Sequence, residues 1–230
     1  MIAIVSDIHG NLSALRSVLD AIERMGCSRI ISLGDVTGYY AEPGKCIDLL
    51  IEHDAIQLLG NHDNYLVKGT GCPRSTTVND LLKHQRKAVT EEQVRFLSSL
   101  KPRYVEGDNS FVHGGWLDPL DQYLYTISDS LFPDQGKRFF SGHTHVQVLA
   151  TMSGKTYCNP GSVGQPRDGD PRASFATLKD QEVCLHRVPY NIDETVRAMR
   201  KAGFVEPRLW ENLYIGAQIG GRIDRVIVKH

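Results

Sequence analysis

The sequence predicts an α/β fold, a four-layer α/β/β/α sandwich of two mixed sheets flanked by helices, and three observations carry that expectation. The N-terminal part alternates short apolar runs with segments of helical periodicity, as βαβ units do. Three of its apolar runs end in polar clusters, as buried strands do when they deliver side chains from their carboxyl ends. From about residue 103 onward short strands separated by turns take over, which makes the second half the more antiparallel one.

Residues 1–6 form a continuous apolar run that stops at Asp7-Ile8-His9-Gly10-Asn11. Leu12, Leu15, Val18, Leu19 and Ile22 then recur at helical spacing, with Asn11 or Ser13 able to cap the start and Gly26 to end it. A second strand over 29–33 ends in Gly34-Asp35, and a third over 55–59 ends in Gly60-Asn61-His62-Asp63, with a helix near 45–52 between them. Strand ends of an open α/β sheet converge on one crevice, so the three clusters are expected to meet there.

A helix over 75–88 places Val78, Leu81, Leu82 and Gln85 on one face, and Thr90 with Gln93 forms a capping box for a helix that runs to Leu100, before Pro102. Short strands follow at 103–105, 110–112, 139–141, 146–150, 173–178 and 182–188, then a late helix at 191–202. The whole of 1–230 is expected to be one domain, with 203–230 as a C-terminal extension that Trp210, Leu213 and Tyr214 pack onto the body or onto another subunit. A homo-oligomer is compatible with that.

Composition narrows the functional classes. Hydrophobic residues are 41% and charged residues 23% of the chain, an ordinary globular balance. The 26 Lys plus Arg against 27 Asp plus Glu give no overall field toward nucleic acid or anionic membrane. The five cysteines are scattered without a CxxC pair, so a reducing cytoplasm is expected rather than a disulfide framework. No apolar run reaches a membrane span of about 18 residues, and the apolar start is too short for a signal peptide.

His, Asp and Asn side chains suit Mn²⁺, Fe, Co²⁺, Ni²⁺ or Zn²⁺, and five of the nine histidines lie in the polar clusters or just after predicted strands. Asp7-Ile8-His9 places two such groups at alternate positions, and Gly142-His143-Thr144-His145 repeats the arrangement. Taken singly, Asp7, Asp35 and Asn61 are equally at home as caps or turn formers.

Taken in order, Asp7-Ile8-His9, Gly34-Asp35, Gly60-Asn61-His62-Asp63, Val112-His113 and Gly142-His143-Thr144-His145 resemble the five motifs of calcineurin-like metallophosphoesterases. The stretch from Asn159 through Gly161, Gly164 and Pro166 to Arg167 resembles the closing loop of the compact bacterial and archaeal phosphodiesterase branch. The resemblance implies two transition-metal ions, Mn first among them, with Fe, Zn, Co or Ni also matching. It assigns one ion to Asp7, His9, Asp35 and His145 and the other to Asp35, Asn61, His113 and His143, with Asp35 as the bridge. A metal-bridging hydroxide would then attack phosphorus in line, and His62, outside the ligand set, would give a proton or hydrogen bond to the leaving oxygen.

Asn11 and Asp63 are candidates for holding ligands in orientation, or are simply helix caps. Gly164, Arg167 and Arg74 are candidate substrate contacts: Gly164 by letting substrate approach the backbone, the arginines by pairing with phosphate oxygens. A turn-rich connector explains Gly164 and Arg167 nearly as well. Tyr39, Tyr40, Trp116, Tyr123 and Tyr125 lie near the motifs and are suited equally to stacking on a base and to packing.

The protein serine/threonine phosphatase branch carries Asp-Arg-Gly after its Gly-Asp and Glu after its Asn-His, whereas here Asp35 is followed by Val36-Thr37 and His62 by Asp63. A small phosphodiester, including a nucleotide, is therefore the expected substrate. The alternatives are a phosphomonoesterase or protein phosphatase, or a non-catalytic scaffold that keeps the fold. A nuclease would need a basic arm that this chain does not display.

Overall fold

A computed structural model describes residues 1–229; His230, for which the sequence suggests no role, lies outside them. The chain opens with β1 (Ile2–Val5), α1 (Leu12–Arg24), β2 (Arg29–Ser32), α2 (Pro43–Glu52) and the very short β3 (Ile56–Gln57). Three helices follow, α3 (Asn61–Lys68), α4 (Thr76–Ala88) and α5 (Glu91–Ser99). The second half contributes β4 (Arg103–Glu106), β5 (Asn109–Val112), β6 (Thr126–Ile127), β7 (Arg138–Phe140), β8 (Gln147–Met152) and β9 (Lys155–Pro160). Then come β10 (Ala173–Lys179), β11 (Glu182–Val188), α6 (Ile192–Lys201) and β12 (Ile227–Val228).

These strands build two five-stranded mixed sheets, ordered β11-β10-β1-β2-β3 and β4-β5-β7-β9-β8, while β6 and β12 form a separate parallel pair. The first sheet is parallel from β1 to β3, and β10 joins it antiparallel from the far end of the chain, pairing Ala3 with Thr177. The second half is the more antiparallel one, β10 and β11 also pairing antiparallel, although the second sheet keeps a parallel centre. There β5, β7 and β9 are mutually parallel, and only the edge strands β4 and β8 pair antiparallel. The loop between β8 and β9 carries Ser153 and Gly154 at positive φ, the signature of a tight hairpin.

The apolar run of β1 is continuous because the strand is covered on both faces. Ala3 and Val5 face the core shared with α1 to α5, while Ile4 faces the second sheet. β2 divides likewise, Ile30 toward the helices and Ile31 between the sheets. Phe111 and Phe140 from the second sheet stack at 4.8 Å in that inter-sheet core, and burying such a ring stabilises by roughly 1.5–3 kcal/mol. The outer face of the second sheet carries Val112, Phe139 and Tyr157, covered by Trp116, Leu124 and Phe132. A 3-10 turn at Asp129–Leu131 is the helical element of that layer.

Helix starts follow local chemistry. Asn11 caps α1 by accepting from Ala14 N (3.2 Å), and Thr90 and Gln93 form the reciprocal box that opens α5. α3 lies where the sequence suggests only a polar loop: Gly60 is its extended N-cap, and the side chain of Asp63 reaches back to Gly60 N. After α6 the chain packs Trp210 and Leu213 onto Tyr40, Leu81 and Met199, while Tyr214 is about half exposed. Among the described residues no helix is long and apolar enough to cross a membrane.

Candidate metal centre

The carboxyl ends of β1 and β2 continue as two loops laced together by backbone: Asp7 N donates to Gly34 O, His9 N to Asp35 O and Gly10 N to Val36 O, at 2.8 to 3.1 Å. Asp7 (φ 54°), His9 (φ 55°) and Asp35 (φ 56°) are left-handed, and across the inter-sheet cleft so are His143 (φ 68°) and His145 (φ 60°). Each such non-glycine residue costs roughly 1–3 kcal/mol, and such strain gathers at functional sites. It aims the alternate side chains of Asp7-Ile8-His9 and of His143-Thr144-His145 into one space.

Into that space point the groups that the motifs single out, all of them buried. Asp7, His9 and His145 bring ligand atoms within 4.8 Å of one another, as do Asp35, His113 and His143. His145 Nε2 lies 3.2 Å and His9 Nε2 3.7 Å from Asp7 Oδ1, and His9 Nε2 is 3.8 Å from Asp35 Oδ2. On the other side of Asp35, His113 Nε2 lies 3.4 Å from Oδ2, 2.9 Å from Asn61 Oδ1 and 3.1 Å from His143 Nδ1. His62 stands next to this set, its Nε2 4.0 Å from Asp35 Oδ2.

The protonation pattern tests whether cations fit here. His9 Nδ1 donates to Thr37 O (2.7 Å), His145 Nδ1 to Gln165 O (2.7 Å) and His113 Nδ1 to Leu33 O (3.1 Å), which turns each Nε2 toward the centre. Burial first, and then like charges nearby, hold His9 and His145 below the ordinary histidine range. Their two bare Nε2 atoms therefore face each other at 3.0 Å with no proton between them. Asp7 Oδ1 and Asp35 Oδ2 are buried without a hydrogen-bond donor. An uncompensated buried carboxylate costs several kcal/mol, so lone pairs converging in this way fit metal cations and fit turn-forming roles poorly.

The second oxygen of each carboxylate is committed to backbone. Asp7 Oδ2 accepts from His143 N (3.0 Å), and Asp35 Oδ1 from His62 N (2.8 Å). Burial raises Asp35 to about 7, despite the opposing pull of His113. Burial would lower His113, but the carboxylate of Asp35 outweighs it and lifts the imidazole to about 9.

The neighbouring residues take definite places. Asp63 both caps α3 and clamps the Asp35 loop, accepting from Asp35 N (2.8 Å), Thr37 N (2.9 Å) and Thr37 Oγ1 (2.8 Å). It does not prop the His62 ring, whose Nδ1 has no partner. Asn11, besides capping α1, donates to Gly164 O (2.9 Å). Gly164 is not brought to the open side of the centre: a Cβ there would meet Ile8 O at 1.9 Å, so what approaches it closely is the chain's own backbone.

The segment around Gly164 laces the site together. Gly164 N donates to Asp7 O (3.0 Å), Ser162 Oγ to Asp7 O (2.7 Å) and Arg167 N to His145 O (3.2 Å). Arg167 is 5% exposed and reaches the cavity beside the centre, donating to Gln165 Oε1 and Tyr39 OH. Arg74 lies on the same cavity but is held by Asp121 through its Nη1 (2.9 Å) and Nη2 (2.5 Å). Tyr39, Tyr123 and Tyr125 line that cavity, whereas Tyr40 and Trp116 are buried in packing.

Several participants carry little or no sequence signal of their own, Gln165 and Asn159 only as members of the 159–167 stretch. Thr37, Leu33 and Gln165 orient histidines through backbone carbonyls, which any residue type supplies. Asp121, 3.5 Å from His143 Nε2, sits in an ordinary-looking turn. Asn159 fixes the 142–145 loop by donating to Gly142 O (2.7 Å) and Thr144 Oγ1 (3.0 Å).

Two mixed sheets with a His, Asp and Asn cluster at their joined strand ends define a metal-dependent phosphoester hydrolase, and the chain belongs to the calcineurin-like phosphoesterase superfamily, whose domain matches residues 1–182. Its fold superposes on the crystal structure of a metallophosphoesterase from Sphaerobacter thermophilus with a TM-score of 0.83 and 34% identity, covering 94% of this chain and 98% of that one. The chain is 32% identical over 241 residues to the uncharacterized protein MJ0912 of Methanocaldococcus jannaschii, covering 94% of this chain and 98% of that protein. It is 28% identical over 190 residues to the phosphodiesterase YfcE of Escherichia coli, covering 75% and 84% of the two.

Proposed function

We propose that the chain hydrolyses a small phosphodiester, a nucleotide among the candidates, at a centre of two metal ions held by Asp7, His9, Asp35, Asn61, His113, His143 and His145, with Asp35 shared. The observation that carries this is the convergence of donor-free Asp7 Oδ1 and Asp35 Oδ2 with the inward-turned Nε2 atoms of His9, His113 and His145. When bound, the ions supply Lewis acidity to the phosphoryl oxygens and acidify the attacking water. Mn²⁺ comes first among the metals this nitrogen and oxygen set suits, and the cytoplasm is the proposed setting.

The chain's own residues do the rest. Asp7 and Asp35 bring carboxyl oxygens whose positions are fixed before any ion arrives, because backbone amides already hold their other oxygens. His62 faces the cavity between Tyr39 and His9, at 5.1 and 5.0 Å between ring centres. Burial, reinforced by His145 and Arg167, keeps this ring neutral, so it meets the leaving oxygen as a hydrogen-bond donor. Arg167 brings a guanidinium to the same cavity, suited to a non-bridging phosphate oxygen.

The test is turnover of an aryl phosphodiester against the matching monoester by metal-stripped protein reloaded with Mn²⁺. Diester turnover is expected to predominate and to vanish in Asp35→Asn. His62→Ala should keep its metal content and lose roughly 10²–10⁴ in kcat. Monoester preference would replace the diester reading with a phosphomonoesterase.

A further inference from the structure

The cavity beside the centre has a wall drawn from the far end of the chain. After α6 a turn is closed by Gly221 N donating to Gln218 O (2.8 Å) and Gln218 N donating to Arg222 O (2.9 Å). Asp224, 7% exposed, fastens this turn to the site. Its backbone N donates to Arg167 O (2.7 Å), its Oδ2 accepts from Tyr125 OH (3.2 Å) and from Gln218 Nε2, and its Oδ1 accepts from Arg222 Nε (2.9 Å). Gln218 and Arg222 thereby come to line the cavity that His62 and Arg167 also line.

The charge of that cavity is one-sided. Among the described residues, Arg74, Arg167 and Arg222 line it and no Asp or Glu does. Arg74 and Arg222 each pair with a carboxylate, Arg74 with Asp121 and Arg222 with Asp224, but Arg222 is engaged through Nε alone, which leaves its terminal amino groups free. Arg167 has no carboxylate partner among the described residues; its bonds run to Gln165 and Tyr39. A guanidinium buried without a counter-ion is costly, and an anionic ligand is the natural compensation. The volume of about 450 Å³ suits a ligand of nucleotide size rather than a lone phosphoryl group.

We propose that the C-terminal segment is a specificity wall, with Arg222 and Gln218 taking a second anionic group of the substrate, so that phosphodiesters carrying a further phosphate are favoured over those with a single one. This rests on the diester reading for what is hydrolysed, but the wall acts in binding and is measured there. Asp224 engages Arg222 at Nε, which leaves its two terminal amino groups to meet the anion.

The experiment is calorimetric binding of thymidine 5′-monophosphate and thymidine 3′,5′-bisphosphate to the full chain loaded with Mn²⁺. The wild type is expected to bind the bisphosphate about tenfold tighter, the worth of one charge-assisted contact. Arg222→Ala should bring the two affinities together, Arg222→Lys should keep part of the difference, and Arg225→Ala, exposed and outside the cavity lining, should keep all of it. Equal affinities in the wild type, or a preference that survives Arg222→Ala, would overturn the wall. Equal binding alongside aryl diester turnover removes the wall alone. A preference lost in Arg222→Ala, with no diester turnover, keeps the wall and removes the diester reading.

Discussion

At the residue scale the centre is a set of groups competing for protons and cations. In the metal-free protein His113, lifted to about 9, carries a proton that must leave before Nε2 can bind a metal, and Asp35, raised to about 7, carries one below that pH. The sign is fixed by the ligand forms: both bind deprotonated, so apparent metal affinity falls as pH falls. The expected slope is about one decade per pH unit between about 7 and 9, steepening toward two below about 7. Calorimetric Mn²⁺ titrations in buffers of different ionisation enthalpy read the released protons directly, and a pH-independent affinity would refute this protonation pattern. The residue types were legible in the sequence because Asp-x-His and His-x-His are rare enough in company to point to metal. Their left-handed backbone was not, because φ at Asp7 or His143 is imposed by the lacing of neighbouring loops.

At the element scale the first turn of α3 does the most to hold the site. Asp63 gathers the amides of Gly60, Asp35 and Thr37, so a single side chain ties the helix start to the loop that presents the Asp35 carboxylate. Asp63→Ala would leave several buried donors unsatisfied, each costing about 1–3 kcal/mol. Urea unfolding of the metal-free variant is expected to show a loss of about 3 kcal/mol or more; a loss under about 1 kcal/mol would mean that solvent replaces the clamp. Strands such as β1 and β11 and the capped helices α1 and α5 were legible, because periodicity and caps are local signals. α3 was hidden because Gly60 offers no side-chain cap and Asn61, His62 and Asp63 read as a strand-end ligand, a proton donor and an orienting or capping residue. β9 was hidden because Asn159 and Pro160 read as a loop, yet Tyr157 and Cys158 are buried by the sheet on either side.

At the scale of the whole molecule the centre is the seam between two sheets. Asp7, His9, Asp35 and Asn61 come from the first sheet's strand ends, and His113, His143 and His145 from the second's. Ions held by both sets would tie the sheets together, so metal loading should stabilise the entire fold and not one loop. At a free metal concentration about a thousandfold above Kd the gain is about 4 kcal/mol for each site filled, or roughly 10 °C in Tm per site for a chain of this size. Scanning calorimetry of loaded and stripped protein checks it, together with slowed amide exchange at the strand ends of both sheets. A Tm that does not move with metal would mean that the sheets are joined by their apolar core alone.

The pairing of β1 with β10 has a bearing on how the molecule comes into being. As the chain leaves the ribosome, Asp7 and His9 emerge long before the strand that closes the first sheet and well before the histidines of the second. A nascent fragment ending near β5 holds Asp7, His9, Asp35 and Asn61 but not the imidazoles opposite them. It therefore lacks three of the seven groups that meet in the folded protein. Synthesis order thus completes the cluster only after the second sheet has been made, so the seven groups come together as a product of the whole fold and not of any early fragment.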